Sequence, residues 1–151
     1  MRSDNGNTAG IGNKDLAAIL AEAFAPWVQD LNLLVEDIGN DGITIRMPAD
    51  ARLSRIGGIV SGQAMTAMAD TTMVLALAAA FGGFRPVATV DLSMSFMRAV
   101  KARDVVCEAR VRRAGRSLAF AHAELRAADD SQIAAVANGT FAVPDTGAPK
   151  P

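Results

Sequence analysis

One cysteine, one histidine and no tyrosine occur in a chain of 151 residues. The lone Cys107 cannot form an intrachain disulfide, which suits a reducing compartment, and a cytoplasmic location is expected. Cys107 and His122 together cannot build a zinc site of the His/Cys type. They also leave little room for a Ser-His-Asp or Cys-His apparatus, and chemistry that depends on tyrosine is excluded. No metal or redox cofactor is therefore expected. An excess of charge of either sign is missing too. Fifteen Lys and Arg stand against 16 Asp and Glu, for a net charge of −1. A nucleic-acid-binding domain usually carries a basic excess, so no nucleic-acid partner is expected. No apolar run follows Arg2, so no secretory signal is expected. The segment from Gly62 to Phe81 could mimic a membrane span, but Gln63, Thr66, Asp70, Thr71 and Thr72 interrupt it. Its unbroken apolar stretch, Met73 to Phe81, is too short to cross a bilayer, and an Asp in mid-span would be costly. The segment reads as a buried helix, with no membrane partner.

Half of the residues are hydrophobic. That much apolar surface excludes disorder of the whole chain and supports one domain with a full core. The domain is expected over residues 14–143, with flexible tails at 1–13 and 144–151. Apolar residues at Leu16, Ile19, Leu20, Ala23, Phe24 and Trp27 predict an amphipathic helix from Lys14 to about Val28, its last turn weakened by Pro26. Leu31 to Ile38 and Ile43 to Met47 read as a hairpin around Gly39-Asn40-Asp41-Gly42. Pro48 to Gly58 reads as a loop. Ser61 or Gly62 opens a long helix that stops at Gly82-Gly83.

Beyond Gly83 the hydrophobic period changes from 3.6 to 2. Ala88, Val90, Leu92, Met94 and Phe96 fall on one face, with Thr89, Asp91, Ser93 and Ser95 on the other. Arg103 to Arg112, Ser117 to Leu125 and Ile133 to Val143 alternate likewise, joined by short turns that favour antiparallel pairing. The order is helix, two strands, one long helix, four strands. The long helix is apolar nearly all round and rich in Ala and Met, so it must be enclosed. The fold class is α+β, with an antiparallel sheet wrapped around one central helix, the hotdog arrangement.

Gly57-Gly58-Ile59-Val60-Ser61-Gly62-Gln63, followed by Ala69-Asp70-Thr71, resembles the hotdog-fold acyl-CoA thioesterases of the phenylacetate-degradation type. Thr89 to Arg98, Gly115 to Phe120 and Val136 to Phe141 look like the later strands of that family, so the resemblance runs from about Lys14 to Val143. Three positions depart from its pattern. Ser61 stands where the family has the His of H-G-G, Gln63 replaces the second Gly, and Arg55 stands where an Asn is common. The resemblance implies hydrolysis of an acyl-CoA thioester by a homodimer or homotetramer whose site lies at the dimer interface, the loop before the long helix of one subunit facing the Asp of the other.

Gln63, Thr66 and Asp70 recur at i, i+3 and i+7 and so share one helix face. A carboxylate there is desolvated, which raises its pKa and makes it a better base. Asp70 is the candidate general base or nucleophile; the structural alternative is an ion pair with an Arg such as Arg55. Gly62 lies where unpaired helix N–H groups could polarise a thioester carbonyl, or it serves only a tight turn. Ser61 is an N-cap or a substrate contact. The resemblance puts Thr89 near the thioester or the attacking water, with Gln63 helping orientation. Arg98, Arg112, Arg113 and Arg116 form a basic group around strand ends that could meet coenzyme A phosphates, Arg98 and Arg116 foremost, or serve only as a solvated rim; Arg55 is a further candidate substrate contact. His122 reads as a surface or packed residue and Cys107 as a core hydrophobe. A noncatalytic acyl-CoA-binding protein is the alternative to the enzyme. A hotdog dehydratase would need a His paired with an acid, and His122 lies far in sequence from the long helix.

Overall fold

The computed structural model describes residues 10–39 and 42–145. Most of the two expected tails, and the Asn40-Asp41 centre of the hairpin turn, lie outside the described residues.

Helix α1 spans Asn13–Glu22. The Asp15 carboxylate accepts from the Gly12 N–H at 2.8 Å at its start. Leu16 is fully buried, and Ile19 and Leu20 pack against the core. The helix does not continue to Val28 as the periodicity predicts. Ala25 is extended because the following proline ring disfavours helical geometry in the residue before it, and Pro26 opens a second helix, α2 (Pro26–Gln29), at its first position. Proline thus divides the segment into two helices. The chain then turns on: the Leu31 and Asn32 N–H groups bond back to Val28 and Gln29 carbonyls, so the first strand starts later than Leu31.

Strands β1 (Leu34–Ile38) and β2 (Gly42–Met47) form the expected antiparallel hairpin. The segment expected to be a plain loop carries a 3-10 turn at Ala51–Leu53 and a small ribbon of β3 (Ser54–Arg55) and β4 (Ile59–Val60). Gly57 and Gly58, with φ of +90° and +71°, let the ribbon reverse in a conformation other residues resist.

Helix α3 spans Gly62–Phe81. Ser61 caps it: its side-chain oxygen accepts from the Ala64 N–H at 3.2 Å. Gly82 ends it in the left-handed conformation. The helix is long and apolar enough to cross a membrane, but most of it is buried inside the protein. Met68, Ala69, Met73 and Leu75 are fully enclosed.

Strands β5 (Ala88–Phe96), β6 (Val105–Ala114), β7 (Leu118–Ala127) and β8 (Ala135–Ala142) complete one antiparallel sheet of order β1-β2-β6-β7-β8-β5. Its inner face packs on α3, chiefly through β6 and β7. Ala121, Ala123, Leu125, Ala137, Phe141 and Cys107 line the buried interface. Small alanines let the strands approach the helix, and methionines fill the gaps between them. This is the hotdog architecture that the element order predicts.

β5 departs from simple alternation. Its register with β8 slips between Thr89 and Asp91, which makes Val90 an extra residue in a bulge. Leu92, Met94 and Phe96 pair with inward-facing Gly139, Ala137 and Ala135. Thr89 pairs with Phe141, which is also inward-facing. The expected opposition of Thr89 to the apolar face is therefore wrong. The extra residue flips the phase, so Thr89 joins that face.

Candidate active site

The sheet leaves the N-terminal half of α3 partly open, as it does the last turn from Ala79 to Phe81. Met73 through Ala78 are buried apart from half-buried Val74, whereas Gln63 is exposed and Thr66, Ala67 and Asp70 are half-buried. These four residues and Gly62 form one side of a groove of about 560 Å³. Leu92 and Phe96 of β5 and Trp27 of α2 form the rest of its wall. Such a volume lies within the usual range of small-molecule sites, about 300–1,000 Å³.

Asp70 is the one ionisable side chain in this wall. Its carboxylate accepts a hydrogen bond of 2.9 Å from the Thr89 hydroxyl. Burial raises its pKa above the ordinary carboxylate value, and the Thr89 bond opposes that rise only in part. Among the described residues no Arg, Lys or His lies within ion-pair distance of Asp70, so the ion pair with Arg55 does not form in this chain. The Arg55 guanidinium instead donates to the Ile56 carbonyl at 3.2 Å.

The α3 N-terminus adjoins Asp70 along the same groove. The Ala64 N–H is bonded to Ser61 and the Met65 N–H to the Ser61 carbonyl. The Gly62 and Gln63 N–H groups have no acceptor among the described residues, as expected for a first turn, and the helix dipole adds to their positive potential. Gly62 also seats the Phe96 ring. A Cβ there would lie 3.4 Å from Phe96 Cζ, so a larger residue would crowd the ring. The Thr66 hydroxyl is committed to the Gly62 carbonyl at 2.7 Å, which leaves Gln63 as the free polar side chain beside Asp70.

The structure thus brings Gly62, Gln63, Thr66, Asp70 and Thr89 together. Ser61 stands at the edge as a cap. Arg55 and Arg98 line a second, adjoining pocket that shares Gly62 and Phe96 with the first. Arg116 is elsewhere. It sits in the β6–β7 turn, at the end of the sheet marked by the Ala88–Ala142 pair, while Phe96 and Gly62 lie at the other end. Arg112 and Arg113 share that far end, so Arg98 does not group with them in one chain.

His122 is half-buried on the outer sheet face. Its Nδ1 lies 3.0 Å from Asn138 Oδ1 and its Nε2 3.7 Å from Glu124, away from the groove. Cys107 is fully buried, and its thiol is pushed up to about 12 by desolvation. Among the described residues no three His, Cys, Asp or Glu side chains cluster closely enough to hold a metal ion.

Sequence reasoning missed Trp27, Leu92 and Phe96 as groove residues. Trp27 looked like one more apolar position of the first helix, and only the break at Pro26 turns it toward α3. Phe96 and Leu92 carried the right alternation but no sign that the sheet ends beside them.

The family model described as Thioesterase superfamily matches residues 57–134, just over half of the chain, and its span includes Gly62, Asp70 and Thr89. Among solved structures, a conserved protein from Pseudomonas aeruginosa is 31% identical, with a TM-score of 0.73 over 80% of this chain and 95% of that one. A candidate thioesterase from Silicibacter sp. TM1040 is 30% identical, with a TM-score of 0.80 over 89% and 92% of the two chains. The zebra fish thioesterase superfamily member 2 shares the fold at 22% identity, with a TM-score of 0.78 over 89% and 99%. No curated protein sequence matches the chain.

Proposed function

The chain belongs to the thioesterase superfamily, and from that premise we propose that it hydrolyses an acyl-CoA thioester to the free acid and coenzyme A. The observation that carries this reading is Asp70. It is a carboxylate without a cationic partner among the described residues, partly desolvated, held by Thr89 and lining the same groove as the open N-terminus of α3. A structural Asp would be neutralised or exposed; one kept basic and oriented is suited to proton transfer.

In this reading the thioester carbonyl oxygen points at the Gly62 and Gln63 N–H groups of one subunit, and the carbonyl carbon faces Asp70 of the partner subunit, because Asp70 lies eight residues along the helix from Gly62, about 12 Å away within one chain. The carboxylate takes a proton from water as the water oxygen bonds to the carbonyl carbon. The oxyanion that forms is stabilised by the helix N–H groups. The carbon–sulfur bond then breaks, and the proton held on Asp70 passes to the departing thiolate. Thr89 fixes the carboxylate rotamer, and the Gln63 amide orients substrate or water. Direct attack by Asp70 on the carbonyl would use the same parts through an anhydride. Arg55 and Arg98 lie where coenzyme A phosphates could reach them after the thioester passes Gly62. Arg116 can serve the same ligand only from a partner subunit.

A homodimer or homotetramer with the site at the dimer interface fits the exposed edge of β5, where Val90 is 60% and Phe96 51% exposed. An unpaired apolar edge strand is a ready surface for a second copy. A cytoplasmic setting fits the substrate class and the single buried thiol. The deciding experiment is thiol release from a panel of acyl-CoAs by the purified protein. Turnover that depends on Asp70 supports hydrolysis. Saturable binding with no turnover would replace it with a noncatalytic acyl-CoA-binding role.

A further inference from the structure

Trp27 is the only tryptophan in the chain and the one large side chain of the N-terminal helices that finds no place in the core. Leu16, Ile19, Leu20, Phe24 and Val28 all pack inward, yet Trp27 remains 62% exposed. It is not on a loose segment. Pro26 fixes the start of α2, the Gln29 amide donates to the Phe24 carbonyl at 2.7 Å, and buried Leu31 anchors the chain just beyond. The indole is therefore held out of the core by a braced turn and faces the groove that holds Asp70.

The rest of that wall is apolar on the Trp27 side. Ala67 and Leu92 continue it, and Phe96 lies against Gly62. Gln63, Thr66 and Asp70 are the polar members of the lining, so an acyl substituent that runs toward Trp27 past Ala67, Leu92 and Phe96 meets mostly apolar surface. The groove has Arg55 and Arg98 on the other side of the Phe96–Gly62 contact, where a charged portion of a ligand is better accommodated. The two sides therefore differ in chemistry, and the indole belongs to the apolar one.

We propose that Trp27 is a specificity-determining residue that binds the distal carbons of the acyl group, so that the protein selects acyl chains long enough to reach the indole over an acetyl group. This rests on the hydrolase reading above. The indole contributes a large, rigid apolar face at little entropic cost, and acyl carbons that reach it leave water.

The test compares acetyl-CoA with octanoyl-CoA in the wild type, Trp27→Ala and Trp27→Phe. Trp27→Ala is expected to lower kcat/KM for octanoyl-CoA about tenfold or more while leaving acetyl-CoA nearly unchanged, as for loss of several methylene contacts. Trp27→Phe should recover most of the loss. Equal losses on both substrates, or none on either, would overturn the proposal. A second readout needs no turnover. Because Trp27 is the sole tryptophan, its emission reports the groove directly: octanoate should give a saturable blue shift and acetate none. If no thioester is hydrolysed but octanoate still shifts the emission, the hydrolase reading fails and the acyl site stands. No shift with octanoate overturns the acyl site even where turnover is found. Light scattering completes the test. A fall in mass on Trp27→Ala, with no octanoate shift in the wild type, would make Trp27 a subunit contact and overturn the proposal.

Discussion

β5 and β7 carry almost the same message in sequence and have different fates. Both alternate apolar and other residues over nine or ten positions. In β7 every second residue from Ala119 to Ala127 is buried under α3. In β5 no residue is fully buried, although Leu92, Met94 and Phe96 point the same way. The cause is position. β7 lies between β6 and β8 in the middle of the sheet, whereas β5 has a single neighbour and sits at the edge. Alternation reports which face of a strand is apolar; it says nothing about what covers that face. The uncovered edge is also where the candidate site forms, because Asp70 and Gln63 can remain half open only where the sheet fails to close over α3.

The largest effect expected from this contrast is in stability. Leu125→Ala on β7 removes a fully buried side chain and should cost about 2–5 kcal/mol in chemical denaturation. The loss should be the same at every protein concentration. Val90→Asp on β5 should behave differently. Where a second copy covers β5, the wild-type Tm rises with protein concentration, and Val90→Asp abolishes that dependence without touching the core. A wild-type Tm that ignores concentration, together with a monomeric mass, would break the comparison and leave β5 a bare edge.

Next in size is the chemistry of the open side. Asp70→Asn keeps the shape of the side chain and should slow turnover about a hundredfold, the scale for loss of a positioned acid–base group. Substrate binding should change far less. The raised pKa of Asp70 fixes the sign of its effect on stability. The folded state holds this proton more tightly than the unfolded chain, so the ionised carboxylate costs stability once pH exceeds the ordinary carboxylate value. Wild-type stability should therefore improve relative to Asp70→Asn as pH falls through the folded pKa. A wild type that loses ground to the variant on acidification would mean that Asp70 is a stabilised, paired carboxylate.

The boundaries of α3 were legible because their signals are local. Ser61 offers a cap and Gly82 tolerates the left-handed turn, and neither depends on the rest of the fold. The chain between Glu22 and Leu34 was harder. Its apolar spacing fits one helix, but Pro26 opens a second one in which Val28 still packs on the core while Trp27, the last member of the spacing, leaves it for the groove. The ribbon at Ser54–Val60 was missed because two-residue strands leave no periodicity to read. Asp70 was legible as a carboxylate in an apolar helix, but its freedom from Arg55 was not, since spacing along the chain does not fix where a loop arginine points. The Ser61 cap gives the next smaller effect. Ser61→Ala should cost about 1 kcal/mol in Tm-derived stability with little change in turnover. A loss of rate without a loss of stability would make Ser61 a substrate contact instead.

The smallest expected change concerns Thr89, which alternation placed on the wrong face and the bulge at Val90 returned to Asp70. Thr89→Val keeps the branched shape and removes the hydroxyl that donates to the carboxylate at 2.9 Å. That hydrogen bond favours the ionised form and partly offsets the desolvation of Asp70. Without it the carboxylate holds its proton to higher pH. The acid limb of the pH–kcat/KM profile should therefore move upward, while the plateau at higher pH falls only modestly because the base is still present. A purely structural Thr89 predicts something else: a lower plateau or a less stable protein with the acid limb unmoved. An acid limb that stays in place in Thr89→Val, measured beside an inactive Asp70→Asn, would keep Asp70 as the base and release it from control by β5.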